Sequence, residues 1–276
     1  MKIYNTSLGP CIENNGNFFS VKNYNFDTLV NQPNLYDFLE KYVTETKPIE
    51  NFDLETCLLP PIVSQEIWAS GVTYLRSKTA RMEESKDAGG GDFYDRVYSA
   101  ERPEIFFKAT AARTVGHNEN IKIRRDSKWN VPEPELTLFV NSSGEIAGYT
   151  VGNDVSSRDI EGENPLYLPQ AKSYDKSAAI GPGILILKEP ISKETEILLK
   201  IERAGETIFS QSTRLTQMKR ELPELVKYLT FDCTFKFGCF LMTGTGIVPP
   251  DSFSLIKNDT VHITIESIGT LSNTVE

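Results

Sequence analysis

The sequence predicts an α+β protein that is predominantly β, folded as a mixed-sheet sandwich or roll with a small N-terminal domain. Three observations favour this class. Short strand-like runs separated by turn residues fill most of the chain, and few helical patterns interrupt them. The 276 residues, 39% of them hydrophobic, suffice for one large or two modest cores. The Leu59-Pro60-Pro61 sequence is a natural boundary, so we expect domains at residues 1–60 and 61–276.

The N-terminal part combines short strand-like pieces with one helix, expected near residues 35–44. Leu35, Phe38, Leu39 and Tyr42 recur at the spacing that places side chains on one helix face. This small unit is expected to cover part of the larger domain or to form a subunit contact.

A charged segment follows the boundary and is expected to be helical from Arg76 to Lys86. It ends in the run Ala88-Gly89-Gly90-Gly91. That run is typical of a flexible surface connection, and a hinge of a mobile lid is the second interpretation. A phosphate cradle is disfavoured, because no Gly-Lys-Ser/Thr motif follows.

From Ile105 onward the sequence reads as strands broken by turns. One helix is expected from Glu221 to about Leu229. The expected strands are 105–108, 135–140, 146–151, 184–187, 196–202, 206–210, 240–242 and 260–266.

Composition excludes several classes of function. The net charge is −9 and the pI is about 5.0, so nucleic acid and anionic membranes, which require a basic face, are poor partners. Residues 1–19 lack the pattern of a signal peptide, and no run approaches the ~20 apolar residues of a membrane span. Four cysteines without a C-x-x-C pair favour buried, reduced thiols and a cytoplasmic location. Two histidines are too few for a histidine-rich zinc or iron site.

Three acidic residues form the candidate metal site. Glu133 and Glu135 lie at i and i+2 at the start of a predicted strand, so their carboxylates face the same way. Asp154 follows the next predicted strand, and a hairpin would bring it beside them. Three carboxylates repel one another unless a cation lies between them, and an oxygen-only site suits Mg²⁺, Mn²⁺ or Ca²⁺. The alternatives are a solvated acidic face for the pair and a turn or helix cap for Asp154.

Eight segments in order resemble the fumarylacetoacetate hydrolase superfamily. They are GVTY at 71–74, IFFK at 105–108, PEPE at 132–135, GYTVGNDVSSRD at 148–159, AKSYD at 171–175, IGP at 180–182, MTGTG at 242–246 and IGTLSNTV at 268–275. The resemblance implies a β-sandwich roll and a Mg²⁺ or Mn²⁺ ion held by Glu133, Glu135 and Asp154. It also implies that Lys172 and Thr245 contact substrate, and that the subunits form a homodimer or a dimer of dimers.

One departure from the family pattern bears on the reaction. Hydrolases of this superfamily carry a water-activating histidine after the tyrosine of the Gly-x-x-Tyr segment and a glutamate three residues later. Here Leu75-Arg76-Ser77 follows Tyr74, and Ala80 stands at the glutamate position. The chain resembles more closely the 2-keto-3-deoxy-D-arabinonate dehydratase type, in Arg76-Ser77, in AERPEIFFK at 100–108 and in SRDIEGENPLYLPQ at 157–170.

The resemblance therefore implies a lyase that uses Mg²⁺ to dehydrate a 2-keto-3-deoxy sugar acid through a metal-stabilised enolate. A hydrolase of acylpyruvates or related β-dicarbonyl acids is the alternative, and a non-catalytic protein that kept the metal site is the third. Lys172 is expected to neutralise the enolate oxygen or move the C3 proton, and Glu104 to assist departure of the C4 hydroxyl. Thr245, Arg76 and Arg81 are expected to contact the 2-oxo acid.

Overall fold

The computed structural model describes residues 1–84 and 91–276, with every side chain in these ranges except those of residues 78, 80, 81, 83, 84 and 91–94. The described residues form eighteen strands. They are β1 (Lys2–Thr6), β2 (Cys11–Asn14), β3 (Asn17–Ser20), β4 (Leu58–Leu59), β5 (Glu66–Gly71), β6 (Glu104–Thr110), β7 (Thr114–Val115), β8 (Asn120–Ile121), β9 (Asn130–Val131), β10 (Pro134–Val140), β11 (Ile146–Asp154), β12 (Ser156–Ser157), β13 (Ala178–Leu185), β14 (Glu196–Arg203), β15 (Glu206–Arg214), β16 (Cys239–Met242), β17 (Thr260–Ile265) and β18 (Gly269–Val275).

The same residues form seven α-helices among these strands. They are α1 (Phe26–Val30), α2 (Leu35–Glu45), α3 (Leu75–Glu84), α4 (Gly91–Ser99), α5 (Arg158–Glu163), α6 (Leu168–Lys172) and α7 (Leu222–Thr230). The helices predicted at 35–44 and 221–229 are confirmed as α2 and α7 within one or two residues, and α3 accounts for most of the predicted 76–86 helix. Residues 88–90 of the glycine run lie outside the described residues. Its last residue, Gly91, is the first residue of α4.

The main sheet has eleven strands. Nine follow the order β3-β2-β1-β13-β11-β10-β16-β5-β6, while β4 pairs with β1 and β7 pairs with β13. It is mixed, because β16 pairs with β5 in parallel while β10 pairs with β11 antiparallel. A second sheet has the order β15-β14-β17-β18-β8, and β9 pairs with β12. The predicted α+β class, mainly β with several sheets, is confirmed.

The hydrophobic core between the two sheets follows from alternation along the strands. Leu136 and Leu138 on β10 belong to one core cluster with Leu199 on β14 of the second sheet. Phe139 points to the opposite face of β10. Because side chains alternate on a strand, Glu135 shares the face of Phe139 and points away from the core between the two sheets.

The opposite face of the main sheet is covered by the N-terminal helices. Phe26, Leu29 and Leu39 pack with Phe139 and Phe240 in a second core cluster. Strand β1 pairs with β13 through Lys2 opposite Leu185, so the first strands extend the main sheet. The domain boundary predicted at residues 60 and 61 stays a prediction.

Strand β13 lies earlier than predicted. The sequence indicates a strand at 184–187, whereas β13 begins at Ala178 and ends at Leu185. Small and turn-forming residues, among them Gly181 and Gly183, hid its first half from pattern analysis. Gly183 is required there, since a Cβ atom would lie 2.8 Å from the carbonyl oxygen of Ile3 on the neighbouring strand.

Within the described residues, no helix has both the length and the apolar content that crossing a bilayer requires.

Candidate metal centre and active site

The β10–β11 hairpin brings the three predicted acidic residues together. Glu135 pairs with Gly152 across the hairpin, and Pro134 pairs with Asn153. One position further on, the backbone N–H of Asp154 donates a hydrogen bond to the carbonyl oxygen of Glu133 at 3.0 Å. The register therefore places all three carboxylates at one end of the sheet and on one face.

The carboxylates of Glu133, Glu135 and Asp154 converge on one point. One oxygen from each lies within 4.8 Å of the other two. The three side chains are 5%, 1% and 1% exposed, which excludes the solvated acidic face that the sequence also allowed. Buried carboxylates at this spacing are stable only with counter-charge, and three oxygen donors are the set that a hard divalent cation such as Mg²⁺ prefers. The residues present fit that ion.

Lys172 is the first cation at the site. It lies at the end of α6, fully buried, and its Nζ donates hydrogen bonds to Glu133 Oε2 at 2.9 Å and Asp154 Oδ2 at 3.0 Å. A third hydrogen bond goes to Ser156 Oγ at 2.5 Å. The ammonium also lies 3.9 Å from Glu161 Oε1. The structure thus brings Lys172 to the metal ligands, and its contact with substrate stays a prediction.

Two further buried cations contact the acidic residues, and sequence reasoning missed both. Lys108 Nζ lies 2.5 Å from Asp154 Oδ1, and Arg158 Nη2 donates to Glu133 Oε1 at 2.9 Å. Lys108 ends the strand predicted at 105–108, but no sequence pattern pointed to Asp154 as its partner. Arg158 lay within a segment shared with the family, but its partner 25 residues away was not apparent from the sequence.

Glu135 is held by the backbone. The N–H of Gly244 donates to Glu135 Oε2 at 2.5 Å. Gly244 has φ of +91°, and a Cβ atom there would lie 2.9 Å from the carbonyl oxygen of Ser70. Glycine is therefore the residue that lets this turn approach the carboxylate.

The surroundings shift the pKa values of two of the ligands in opposite directions. Burial, and then the neighbouring carboxylates of Asp154 and Glu133, raise the pKa of Glu135 well above its usual range. Burial also acts to raise the pKa of Asp154, but the ammonium groups of Lys108 and Lys172 outweigh burial and lower it. Asp154 is therefore the carboxylate that the protein holds ionised with its own cations.

The triad opens into a small cavity. Its lining includes Lys172, Phe106, Ser77 and Thr245 in addition to the acidic residues. Thr245 is buried, and its hydroxyl donates to the carbonyl oxygen of Ile247 at 3.1 Å. The structure therefore brings Thr245 to the cavity, with its hydroxyl engaged in its own turn.

Glu104 and Arg76 are placed differently from each other. Glu104 begins β6 and pairs with Gly71, which lines the cavity. Its carboxylate lies against the Cα atom of Gly71, where a Cβ atom would overlap it. Arg76 is exposed and does not line the cavity, although the next residue, Ser77, does. The Arg81 side chain lies outside the described residues.

Comparison with known proteins identifies the class to which this fold and site belong. The family described as fumarylacetoacetate (FAA) hydrolase C-terminal matches residues 67–276. The protein belongs to the fumarylacetoacetate hydrolase family, which confirms the resemblance drawn from the motifs.

Similar proteins within this family are named as dehydratases. The chain is 51% identical over 218 residues to a probable 2-keto-3-deoxyxylonate dehydratase of Haloferax volcanii, covering 78% of this chain and 73% of the relative. It is 46% identical over 220 residues to 2-dehydro-3-deoxy-D-arabinonate dehydratase of Saccharolobus solfataricus, with the same coverage of 78% and 73%. The solved structure of 2-keto-3-deoxy-D-arabinonate dehydratase complexed with magnesium and 2,5-dioxopentanoate matches with a TM-score of 0.83 and 35% identity, covering 100% of this chain and 99% of that one.

Proposed function

We propose that this protein is a Mg²⁺-dependent hydro-lyase that dehydrates a 2-keto-3-deoxy sugar acid. The observation that carries the proposal is the buried cluster of Glu133, Glu135 and Asp154 with the Lys172 ammonium on two of them. The dehydratases among the similar proteins support the reaction class. The absence of the hydrolases' histidine after Tyr74 disfavours hydrolysis by the usual route.

Glu133, Glu135 and Asp154 would hold the ion. A divalent cation there supplies a Lewis acid that polarises the keto group of a 2-oxo acid and makes its C3 proton more acidic. Mn²⁺ and Ca²⁺ suit the same oxygen donors, and Mg²⁺ is favoured by the magnesium in the similar solved structure.

Lys172 supplies positive charge beside the reacting keto group. Its Nζ donates three hydrogen bonds, to Glu133, Asp154 and Ser156, and this pattern is that of a protonated amine. A fixed, buried ammonium stabilises negative charge that develops on a substrate oxygen, because it needs no reorganisation during the reaction. Charge neutralisation is therefore the role we propose for Lys172.

Glu104 is the proposed acid–base group. The reaction breaks the C3–H and C4–O bonds and releases one water molecule. A single carboxylate that takes the C3 proton and returns it to the departing hydroxyl balances these changes. Glu104 is the first residue of β6, the strand that also carries Phe106. Its carboxylate lies at the cavity edge, against Gly71. Thr245 is the proposed contact of the substrate carboxylate or keto oxygen, and Arg76 is a proposed contact of the carboxylate.

A substrate screen tests the proposed function. Purified protein with Mg²⁺ is incubated with 2-keto-3-deoxy pentonates and hexonates and, separately, with acylpyruvates. The proposal expects a product lighter than its sugar acid by one water molecule, detected by mass spectrometry and abolished by a chelator. Formation of pyruvate and a free acid from an acylpyruvate, with the sugar acids unchanged, would contradict it and favour the hydrolase.

Replacing Glu104 with glutamine should slow turnover by ~10²-fold or more, since glutamine cannot exchange a proton. Mg²⁺ binding should be unchanged, because Glu104 is not among the three ligands. Steady-state kinetics and calorimetric Mg²⁺ titration measure the two effects. The control is Glu66→Gln, the same chemical change at the other end of the β5–β6 pair, where Glu66 is exposed. Unchanged turnover in Glu104→Gln would remove Glu104 from the mechanism.

Replacing Gly71 with alanine should lower turnover by roughly tenfold, because even small displacements of a positioned catalytic group are costly. The new methyl group would occupy the place of the Glu104 carboxylate, which is the mobile end of a side chain and can swing aside. The melting temperature should therefore change little. In the double variant with Glu104→Gln, the alanine should cause no further loss of kcat. If the kcat losses of the two single variants multiply in the double variant, Gly71 acts on something other than Glu104.

We also propose that the protein works in the cytoplasm, as a homodimer or a dimer of dimers. The four cysteines are all free thiols in the structure, which suits a reducing compartment. Light scattering coupled to gel filtration distinguishes these assemblies from a monomer of 31.0 kDa.

A further inference from the structure

Lys108 has no part in the chemistry proposed above, yet it lies at the centre of the site. It is 0% exposed and sits on β6, four residues after Glu104, where the pairing of β6 with β5 shifts register between Ile67 and Trp68. Three side chains of β6 reach the site. Glu104 lies at the cavity edge, and the ring of Phe106 lies 5.8 Å from Lys172 Nζ. Lys108 contacts Asp154.

The ammonium of Lys108 joins three separate parts of the chain. Its Nζ lies 2.5 Å from Asp154 Oδ1, and it donates hydrogen bonds to the carbonyl oxygens of Val155 at 3.0 Å and Lys172 at 2.5 Å. The Asp154 side chain and the backbone of the next residue are thus held by the same amine. Two hydrogen bonds to backbone carbonyls and one ion pair to a carboxylate therefore surround this ammonium.

Such a group is costly to bury, and it does not serve the fold alone. A fully buried ammonium loses its hydration, and the carboxylate of Asp154 at 2.5 Å offsets that cost. An apolar side chain of similar volume generally satisfies a protein interior as well as a buried ion pair does. The lysine therefore calls for an explanation at the site that it contacts.

We propose that Lys108 is the positioning residue that holds Asp154 in place as a metal ligand. Besides Lys172, which donates to two of the ligands, each member of the triad contacts a group of its own. These groups are Arg158 on Glu133, the Gly244 N–H on Glu135, and the Lys108 ammonium on Asp154. Groups that bond the ligands in this way orient them and tune the affinity of the site. The inference deepens the proposed function, and it rests on that function in assigning a divalent ion to the triad.

A purely electrostatic role and a positioning role for Lys108 predict opposite changes in Mg²⁺ affinity when Lys108 is replaced. Acting only through its charge, the ammonium repels a cation bound nearby, so its removal would tighten Mg²⁺ binding. Acting by positioning, it keeps Asp154 directed at the ion, and its removal should weaken Mg²⁺ binding by ~10–100-fold. The sign of the change in affinity therefore separates the two.

The experiment compares the unchanged protein, freed of metal, with Lys108→Met and Lys108→Gln. Glutamine retains an N–H donor for the two carbonyl oxygens, and it serves if the methionine variant does not fold. Mg²⁺ affinity is measured by calorimetry and kcat is measured across a range of Mg²⁺ concentrations. The control is Lys122→Met, because Lys122 is a half-exposed lysine, 3.9 Å from Glu276.

We expect both variants to bind Mg²⁺ ~10–100-fold more weakly, and kcat to return to within about threefold of the unchanged protein at saturating Mg²⁺. Unchanged or tighter Mg²⁺ binding would overturn the positioning role while leaving the proposed function intact. A loss of kcat that saturating Mg²⁺ does not restore would also overturn it. Failure of the unchanged protein to bind Mg²⁺ would overturn both proposals.

Discussion

Replacing Glu135 with glutamine should weaken Mg²⁺ binding by more than ~10²-fold, because even loss of a group that merely orients a ligand costs 10–100-fold. Turnover should fall by ~10³-fold or more, since the Lewis acid is lost with the ion. The metal-free variant should nevertheless be at least as stable as the unchanged protein. Burial and two neighbouring carboxylates disfavour the charged form of Glu135, raising its pKa, and the neutral amide removes that penalty.

The structure explains why Glu135 is the informative ligand to change. Glu133 and Asp154 each contact buried cations, so neutralising either would leave a cation without its partner. Glu135 accepts instead from the backbone N–H of Gly244, and the amide oxygen of glutamine accepts equally well.

Three measurements check this prediction: calorimetric Mg²⁺ titration, steady-state turnover, and urea unfolding in a chelator. Glu145→Gln is the matched control, the same change at the exposed turn of the same hairpin. Normal Mg²⁺ affinity in Glu135→Gln would contradict the metal site. A large loss of metal-free stability would contradict the electrostatic account of Glu135.

Replacing Lys172 with methionine should lower kcat by ~10³-fold while Mg²⁺ still binds, because the ammonium is not a ligand but stabilises developing negative charge. The metal-free protein should also lose about 3–5 kcal/mol of unfolding free energy, the usual result of removing one partner of a buried ion pair. Glu133 and Asp154 would remain close together with less counter-charge. Mg²⁺ should restore much of that stability, since the ion neutralises the same carboxylates.

Turnover at saturating Mg²⁺, and urea unfolding with a chelator or with Mg²⁺, measure these effects. The control is Lys193→Met. Lys193 forms an exposed ion pair with Glu221 at 2.6 Å, and such pairs contribute about 0–1 kcal/mol. Recovery of normal kcat at high Mg²⁺ would show that Lys172 acts only on the metal ligands. If Lys172→Met has the same unfolding free energy in a chelator as in Mg²⁺, the proposed contact of Lys172 with the metal ligands is contradicted.

Local patterns in the sequence were sufficient for much of the fold. The i, i+2 spacing of Glu133 and Glu135, the turn residues before Ile146 and the position of Asp154 together predicted a hairpin, and the structure has that hairpin with Asp154 beside Glu133. Strand β13 shows where this reasoning stopped. Ala178 to Gly183 are mostly small residues, and at Gly183 the neighbouring strand leaves no room for a Cβ atom. A strand without large alternating side chains carries no recognisable pattern.

Some residues of the candidate site were also predicted from the sequence, and others were found only in the structure. Motifs identified Glu133, Glu135, Asp154, Lys172 and Thr245, and Glu104 was proposed from its position before a predicted strand. The structure places each of them at the cavity or its edge. The roles proposed for them, and for the exposed Arg76, stay predictions. Lys108, Arg158 and Glu161 were not predicted, although all three side chains are buried beside the metal ligands.

By itself, the sequence determined the class of fold, the family and the three carboxylates, because each depends on residue types at short spacings along one strand or hairpin. Only the tertiary structure decided which cation meets which carboxylate. Lys108 and Asp154 are 46 positions apart. They come together because α6 packs against β6, while the Lys108 side chain reaches Asp154 at the end of β11. Contacts between residues so far apart in sequence depend on how the strands and helices pack together. The types of the two side chains alone do not determine which of them pair.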